Sequence, residues 1–220
     1  MKMALIGAGG IGNVHLKVYE SMPDVEVVAV VDVNVERTAD KLKNKSIKIY
    51  DCIDDMLANE DVDFVDICTP TYLHEEHAVK AMNKGIHVLC EKPIALTKES
   101  ADNMVKAAKD NGVIFMIAHV IRFWPHYEYL KKCFDERKFG KLYTASFSRI
   151  GEIPRWTYDN WWMDEKRSGR APLDLHIHDA DFVLYLLGKP NYITGNARED
   201  YENITYITAC YEYDDCFVNI

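Results

Sequence analysis

Two short stretches of this chain hold residue types that acid–base chemistry uses. The first is His87 to Pro93, His-Val-Leu-Cys-Glu-Lys-Pro. Its apolar half follows Gly85 and has the length and bounds of a buried strand. Glu91, Lys92 and Pro93 fall where that strand would end. Open parallel α/β sheets bind ligands beyond the carboxyl ends of their strands. The Lys92 ammonium is therefore a candidate for chemistry; the bland alternative is a solvated lysine on a strand-to-helix loop. The second stretch is 173–181, Leu-Asp-Leu-His-Ile-His-Asp-Ala-Asp. On a helix turning about 100° per residue, Asp174, His178 and Asp181 share one stripe. Ile177, Ala180, Leu184 and Leu187 fill a separate, core-facing stripe. The alternative is a helix N-terminus whose dipole favours acids, with a solvated histidine. No metal is expected. His176 and His178 alternate, which on a helix sends their rings to nearly opposite sides, and His74 and His77 lack the four-residue spacing of a zinc-protease pair.

The elements that would position these groups begin at the first residues. Met3 to Ile6 is a short apolar strand, Gly7-Ala8-Gly9-Gly10-Ile11-Gly12 follows, and Ile11, Val14 and Val18 then repeat at helical spacing. A lone GxGxxG is weak. Here a strand precedes it, a helix follows it, and Asp32 ends the next strand (Val25 to Val31), which is the dinucleotide-binding arrangement. Gly7 permits the tight turn, Gly9 lets the backbone approach a pyrophosphate, and Gly12 lets helix and strand pack closely. The helix N-terminus offers free N–H groups to phosphate. Asp32 can accept hydrogen bonds from ribose hydroxyls and would repel a 2′-phosphate, so NAD is expected over NADP. Arg37, five residues on, could soften that preference.

Strand and helix signals then alternate. Asn34 can cap a helix carrying Val35, Ala39 and Leu42. Strands are expected at Ile47 to Tyr50, Val62 to Cys68, His87 to Cys90 and Val113 to Ala118. Between them run helices near Ile53 to Ala58, Leu73 to Lys84 (stopped by Gly85) and one capped by Thr97 and ended by Asn111-Gly112. Six strands and five helices in alternation predict an α/β fold, a doubly wound parallel sheet over residues 1–120.

Residues 121–220 read differently. The four tryptophans, Trp124, Trp156, Trp161 and Trp162, all lie here. A helix is expected at Pro125 to Arg137, a strand at Leu142 to Ile150, an irregular segment over 151–173 and an apolar helix from Leu175 to Leu187 ended by Gly188. Ile204 to Tyr213 and Cys216 to Ile220 flank Asp214-Asp215 as a hairpin. A three-stranded sheet that stops inside its last strand has an exposed edge. Such an edge predicts a shortened domain or one completed by a partner subunit.

The 220 residues allow one or two domains, and 48% hydrophobic with 28% charged residues is ordinary for a globular protein. A net charge of −9 without any Lys/Arg cluster excludes a nucleic-acid surface. No apolar run approaches the ~20 residues of a membrane helix. Six scattered cysteines and no signal-peptide pattern predict a reducing, cytoplasmic setting. There the glycosylation patterns at Asn44 and Asn203 would have no meaning.

Taken together, these residues resemble the Gfo/Idh/MocA oxidoreductases, the family of glucose–fructose oxidoreductase and inositol 2-dehydrogenase. The resemblance rests on the glycine loop with His15, Cys68-Thr69-Pro70 with His74, the run from Gly85 to Pro93, and His119, Arg122, Phe123 and Pro125. Asp174, His178 and Asp181 complete it. It implies a Rossmann domain followed by an α/β domain on a large, mostly antiparallel sheet, incomplete here, which commonly forms the oligomer interface. It also implies NAD(P)-dependent redox chemistry on sugars, polyols or their derivatives. Lys92, Asp174 and His178 would be the catalytic set. Cofactor contacts are expected from Gly7, Gly9, Gly10, Ile11, Gly12, Asp32, Thr69, Pro70, His74, Glu91 and Lys92. Substrate contacts are expected from Lys92, Asp174 and His178. Arg122 could pair with a substrate anion and Trp161 and Trp162 could cover sugar faces, with core packing the competing role for each Trp. A cis peptide before Pro93 would also fit. His176 stands where the family usually has glycine, and Ser168-Gly169-Arg170 replaces its glycine run. The competing reading is a non-catalytic NAD-binding sensor or partner subunit of the same fold.

Overall fold

The computed structural model describes every residue except 44, 45, 156 and 200–204. Asn44, Asn203 and Trp156, and the expected start of the hairpin at Ile204, lie outside the described residues. The chain divides into two compact units, Met1–Ala118 and His119–Ile220. Among the described residues no helix is long and apolar enough to cross a membrane.

The first unit alternates β1 (Lys2–Ile6), α1 (Gly10–Tyr19), β2 (Glu26–Val31), α2 (Val35–Leu42), β3 (Lys48–Tyr50), α3 (Ile53–Asn59), β4 (Phe64–Ile67), α4 (His74–Met82), β5 (His87–Cys90), α5 (Lys98–Asn111) and β6 (Phe115–Ile117). All pairings are parallel, in the order β3-β2-β1-β4-β5-β6. This is the doubly wound sheet that the alternation predicts. Its central strands are apolar on both faces because helices cover both. Ala4, Ile6, Val65, Ile67 and Val88 face one buried cluster, and Met3, Leu5 and Val30 face the other. The caps follow the sequence: the Asn34 and Thr97 side chains accept from Arg37 N and Ser100 N, and Gly112 closes α5 at φ +63.

One expected face is reversed. Ile11, Val14 and Val18 are 45%, 54% and 53% exposed, whereas Gly12, Leu16 and Tyr19 are buried. Gly12 must lie against the glycine loop, so the positions four and seven residues later turn toward the sheet. The helical period was legible; its phase is set by the loop.

The second unit contains α6 (Pro125–Asp135), β7 (Thr144–Ser146), α7 (Glu165–Ser168), α8 (Ile177–Leu187), β8 (Tyr192–Glu199), β9 (Thr205–Glu212) and β10 (Phe217–Asn219). Its sheet order is β7-β10-β9-β8, with only the β7–β10 pair parallel. The predicted hairpin at Asp214-Asp215 is present. Strand β7 is shorter than expected. Strand β8 has no counterpart among the expected elements. Gly195 is there because a Cβ would come 2.8 Å from the Thr208 carbonyl oxygen across the ladder. Among the described strands β7 and β8 stand at the two ends of this order, and β10 lies between β7 and β9. Val183 of α8 packs on Ala209, Tyr211 and Val218. Phe182 is fully buried, with Tyr127 edge-on at 4.6 Å. Leu184, expected in the core, is 43% exposed.

Candidate active site

In the first unit the parallel strands deliver their loops to one end of the sheet. Gly7 has φ +96, and a Cβ there would lie 2.9 Å from the Cys68 carbonyl carbon. A Cβ on Gly12 would come 1.9 Å from Gly7 O. Both glycines are thus required by close approach of backbone. Gly9 differs: nothing lies within 4 Å of the position its Cβ would occupy. It caps α1 without a side-chain hydrogen bond, so the first-turn N–H groups of Gly10, Ile11 and Gly12 are not capped by it. Asn13 braces the turn, its Nδ2 donating to Ala8 O at 2.7 Å. These residues fit a dinucleotide: an open approach at Gly9 in front of a helix N-terminus is what a pyrophosphate needs.

Asp32 is buried at the end of β2 and faces the same loop. Ala8 N donates to its Oδ2 and Asn34 N to its Oδ1, each at 2.8 Å. The Arg37 guanidinium lies 3.4 Å from Oδ1. The carboxylate is thereby fixed beside the loop, and a cation stands next to it.

Beyond β4 and β5 the side chains are tightly engaged. His74 is almost wholly buried, with Nε2 2.9 Å from Thr69 O and Nδ1 2.9 Å from Pro93 O. Burial pushes its imidazole below the ordinary range, so the neutral ring donates its one N–H to one of these two carbonyls and packs against the other. His77 lies 3.3 Å from Thr69 Oγ1, and burial pushes it down to about 4. His15 of α1 reaches Asp66 Oδ2 at 2.8 Å, Glu91 Oε1 at 3.3 Å and Cys68 Sγ at 3.4 Å. Asp66 is fully buried and also accepts from Tyr19 Oη at 2.9 Å. Glu91 Oε2 accepts from Lys92 N at 3.0 Å. The Lys92–Pro93 peptide is cis. Lys92 thus stands at the end of β5, at the same end of the parallel sheet as the glycine loop. Asp66 was missed in the sequence. Its signal was an acid inside an otherwise apolar strand, which is costly unless paired.

In the second unit, Asp174 lies outside the helix that a stripe shared with His178 and Asp181 requires. It falls in a π-helical turn, Ala171–Leu175, and α8 begins only at Ile177. The regular stripe of Asp174, His178 and Asp181 is therefore broken by that turn. Each acid has its own partner. Asp174 Oδ2 accepts from Trp162 Nε1 at 2.9 Å. Asp181 binds Arg122 through both oxygens, Nε donating at 2.7 Å, and His119 Nε2 lies 3.5 Å away. Asp179, between them, is bound at 2.7 and 2.8 Å by Arg149. His178 is half-buried in the first turn of α8. Trp162 is buried, consistent with packing, and it holds Asp174; Trp161 is half-buried beside it. The Arg122 guanidinium is committed to Asp181, an engagement the sequence did not show.

A parallel doubly wound sheet with a glycine loop, an acid after β2 and an open helix N-terminus defines a dinucleotide-binding unit. Residues 1–119 match the family described as oxidoreductase, NAD-binding Rossmann fold, and residues 127–219 match the GFO/IDH/MocA C-terminal domain. The chain belongs to the Gfo/Idh/MocA oxidoreductase family. It is 33% identical over 186 residues to the 2,7-anhydro-N-acetylneuraminate hydratase of Mediterraneibacter gnavus, covering 84% of this chain and 49% of that protein. It is 30% identical over 201 residues to the scyllo-inositol 2-dehydrogenase (NADP(+)) of Bacillus subtilis, covering 89% and 61%. The crystal structure of myo-inositol 2-dehydrogenase from Lactobacillus plantarum superposes with a TM-score of 0.88 at 25% identity, over 100% of this chain and 69% of that one. The chain spans about half the length of the curated relatives it matches.

Proposed function

We infer that the protein transfers a hydride between a nicotinamide cofactor and a hydroxyl-bearing carbon of a sugar, polyol or sugar derivative. The observation that carries this reading is Lys92 at the end of β5, on the sheet end that also holds the open Gly9 turn and Asp32. A bound nicotinamide supplies the hydride acceptor. The chain's own groups handle the proton and the charge. The His178 imidazole takes the hydroxyl proton, as imidazoles do near neutral pH. The Lys92 ammonium stabilises the developing alkoxide. Asp174, steadied by Trp162, orients the imidazole or a second substrate hydroxyl. Gly7, Gly9, Gly10, Ile11 and Gly12 hold the pyrophosphate, and Asp32 holds the adenosine ribose. Thr69, Pro70, His74 and Glu91 shape the nicotinamide end. NAD is the preferred cofactor because Asp32 opposes a 2′-phosphate; Arg37 lowers that barrier, so some use of NADP is expected.

The second unit supplies the substrate residues and, through its sheet, a homo-oligomer contact. Exposed Tyr192, Tyr206 and Phe217 on its strands support that contact. Six cysteines far apart in the sequence, with no CxxC pair, support a reducing, cytoplasmic compartment.

The test is incubation with NAD or NADP and a panel of polyols and sugars, following the near-ultraviolet absorbance of the reduced cofactor. Reduction with at least one of them supports the reading. Tight NAD binding without reduction across the panel would favour a non-catalytic sensor. Light scattering after size exclusion checks the oligomer, and a clean monomer would count against it.

A further inference from the structure

His15, Asp66, Glu91 and the Lys92 main chain form a continuous chain of polar contacts inside the first unit. Asp66 sits in β4 with no exposure, and a carboxylate there needs a charged partner. His15 supplies it from α1. The two nitrogens of its ring face two different carboxylates, Asp66 at 2.8 Å and Glu91 at 3.3 Å. The hydrogen bond to Asp66, then those to Cys68 and Glu91, outweigh burial and push the imidazole up to about 12. An imidazolium donates from both nitrogens and has no lone pair to offer. His15 is therefore neither a general base nor a metal ligand in this state, although His15, Asp66 and Cys68 present their atoms within 4.8 Å of one another. It is a cationic bridge. Burial pushes the Cys68 thiol up to about 12, so it stays protonated beside the bridge.

The far end of the bridge gives it a use. Glu91 contacts His15 through Oε1 and accepts the Lys92 N–H through Oε2 at 3.0 Å. The helix that follows the glycine loop is thus wired, through one imidazolium and one carboxylate, to the backbone of the proposed catalytic lysine. We propose that His15 is a positioning residue: it clamps Glu91 and, through Glu91, fixes the Lys92 main chain relative to the glycine loop. This rests on the catalytic reading of Lys92, but the clamp itself can be measured without turnover.

The experiment compares His15→Ala, Glu91→Gln and the double variant with the unaltered protein. The first readout is the Lys92 amide in nitrogen-resolved NMR. Its proton should shift and its hydrogen exchange quicken by about tenfold in His15→Ala. An unmoved amide in a folded variant overturns the clamp. The second readout is kinetic. Misplacement of the lysine should lower kcat by about 100-fold in both single variants, and in His15→Ala, which removes no proposed cofactor contact, NADH affinity should change by less than about threefold. The double variant should be no worse than the poorer single variant, and imidazole in the buffer should partly restore His15→Ala. Additive losses, or an unchanged kcat, overturn the proposal. If His15→Ala does not fold, Glu91→Gln keeps the Asp66–His15 pair and leaves one acceptor oxygen where two bridged His15 and Lys92 N, and it must reproduce the amide shift and the fall in kcat. If the unaltered protein turns over nothing, the functional reading falls while the amide readout still decides the clamp.

Discussion

The two units prepare their candidate residues by opposite means. In the first, backbone does the placing: parallel strands end together, Gly7 and Gly12 allow main chains to touch, and Gly9 leaves a gap. In the second, paired side chains do it. Asp174, Asp179 and Asp181 are each held by a different partner, Trp162, Arg149 and Arg122. A glycine loop built from backbone tolerates changes at most of its side chains and fails at a few glycines, whereas Lys92 beside it depends on the His15 and Glu91 side chains. Acids held by two arginines and one indole lose stability wherever a buried charge is stranded.

The largest test of that contrast takes one residue from each unit. Lys92→Ala and His178→Ala should each lower turnover by at least about 1,000-fold and leave NAD affinity within about threefold. Initial-rate kinetics with fluorescence titration of NADH would show it. Loss of NAD binding in both, or full activity in both, would refute the assignment.

The glycines come next and should separate from each other. Gly12→Ala forces a Cβ against Gly7 O and should cost about 3 kcal/mol or more of stability, with loss of NAD binding. Gly9→Ala meets nothing in the free protein, so the melting temperature should hold while NAD affinity drops about tenfold or more. Equal stability losses in the two would sink the distinction.

In the second unit, Asp181→Asn leaves Arg122 without its carboxylate. A loss of about 1–3 kcal/mol is expected, discounted because Arg122 is one-third exposed. Hydrogen exchange should quicken within His119–Ile220 and stay unchanged in Met1–Ala118. Faster exchange throughout would mean that the pair supports more than its own unit.

The smallest effect is a pH dependence in the first unit. His77 is held down to about 4, so the unfolded chain binds the extra proton first. Stability present above about pH 6.5 is lost as pH falls from there toward 4. His15 acts in the other direction: its contribution is complete below about pH 6.5 and is lost as pH rises toward 12. His77→Gln should flatten the acid arm by on the order of 1 kcal/mol in melts near pH 7 and near pH 4.5. An unchanged acid arm would show that His77 stays solvated.

What was legible in the sequence divides along the same line. The order of elements in the first unit, its caps and its glycine loop were readable because each is a local rule of backbone geometry. The phase of α1 was not, because Gly12 overrides the apolar repeat of Ile11, Val14 and Val18. Strand β8 was hidden because its Gly195 is explained only by a neighbour that is distant in sequence. The ladder of Arg122, Arg149 and Trp162 onto the acids of 174–181 was hidden for the same reason. A break of helical register at Ala171–Leu175 then moved Asp174 off its expected stripe. Lys92 and His178 could be singled out from their surroundings, whereas His15's bond to Glu91 could not.

The interior place of β10 has a consequence for how the protein is made. Among the described strands, β7 pairs with β10 alone, joining Thr144 to Phe217. A ribosome will have released all six strands of the first sheet before it has finished the one strand that β7 needs. The first unit can fold while synthesis continues, whereas β7 must wait as an unpaired edge until a distant segment arrives. Closing a loop that long is slow, and an open edge during the delay invites pairing with other chains. Slow synthesis or a holding chaperone should therefore raise the yield of the second unit far more than that of the first.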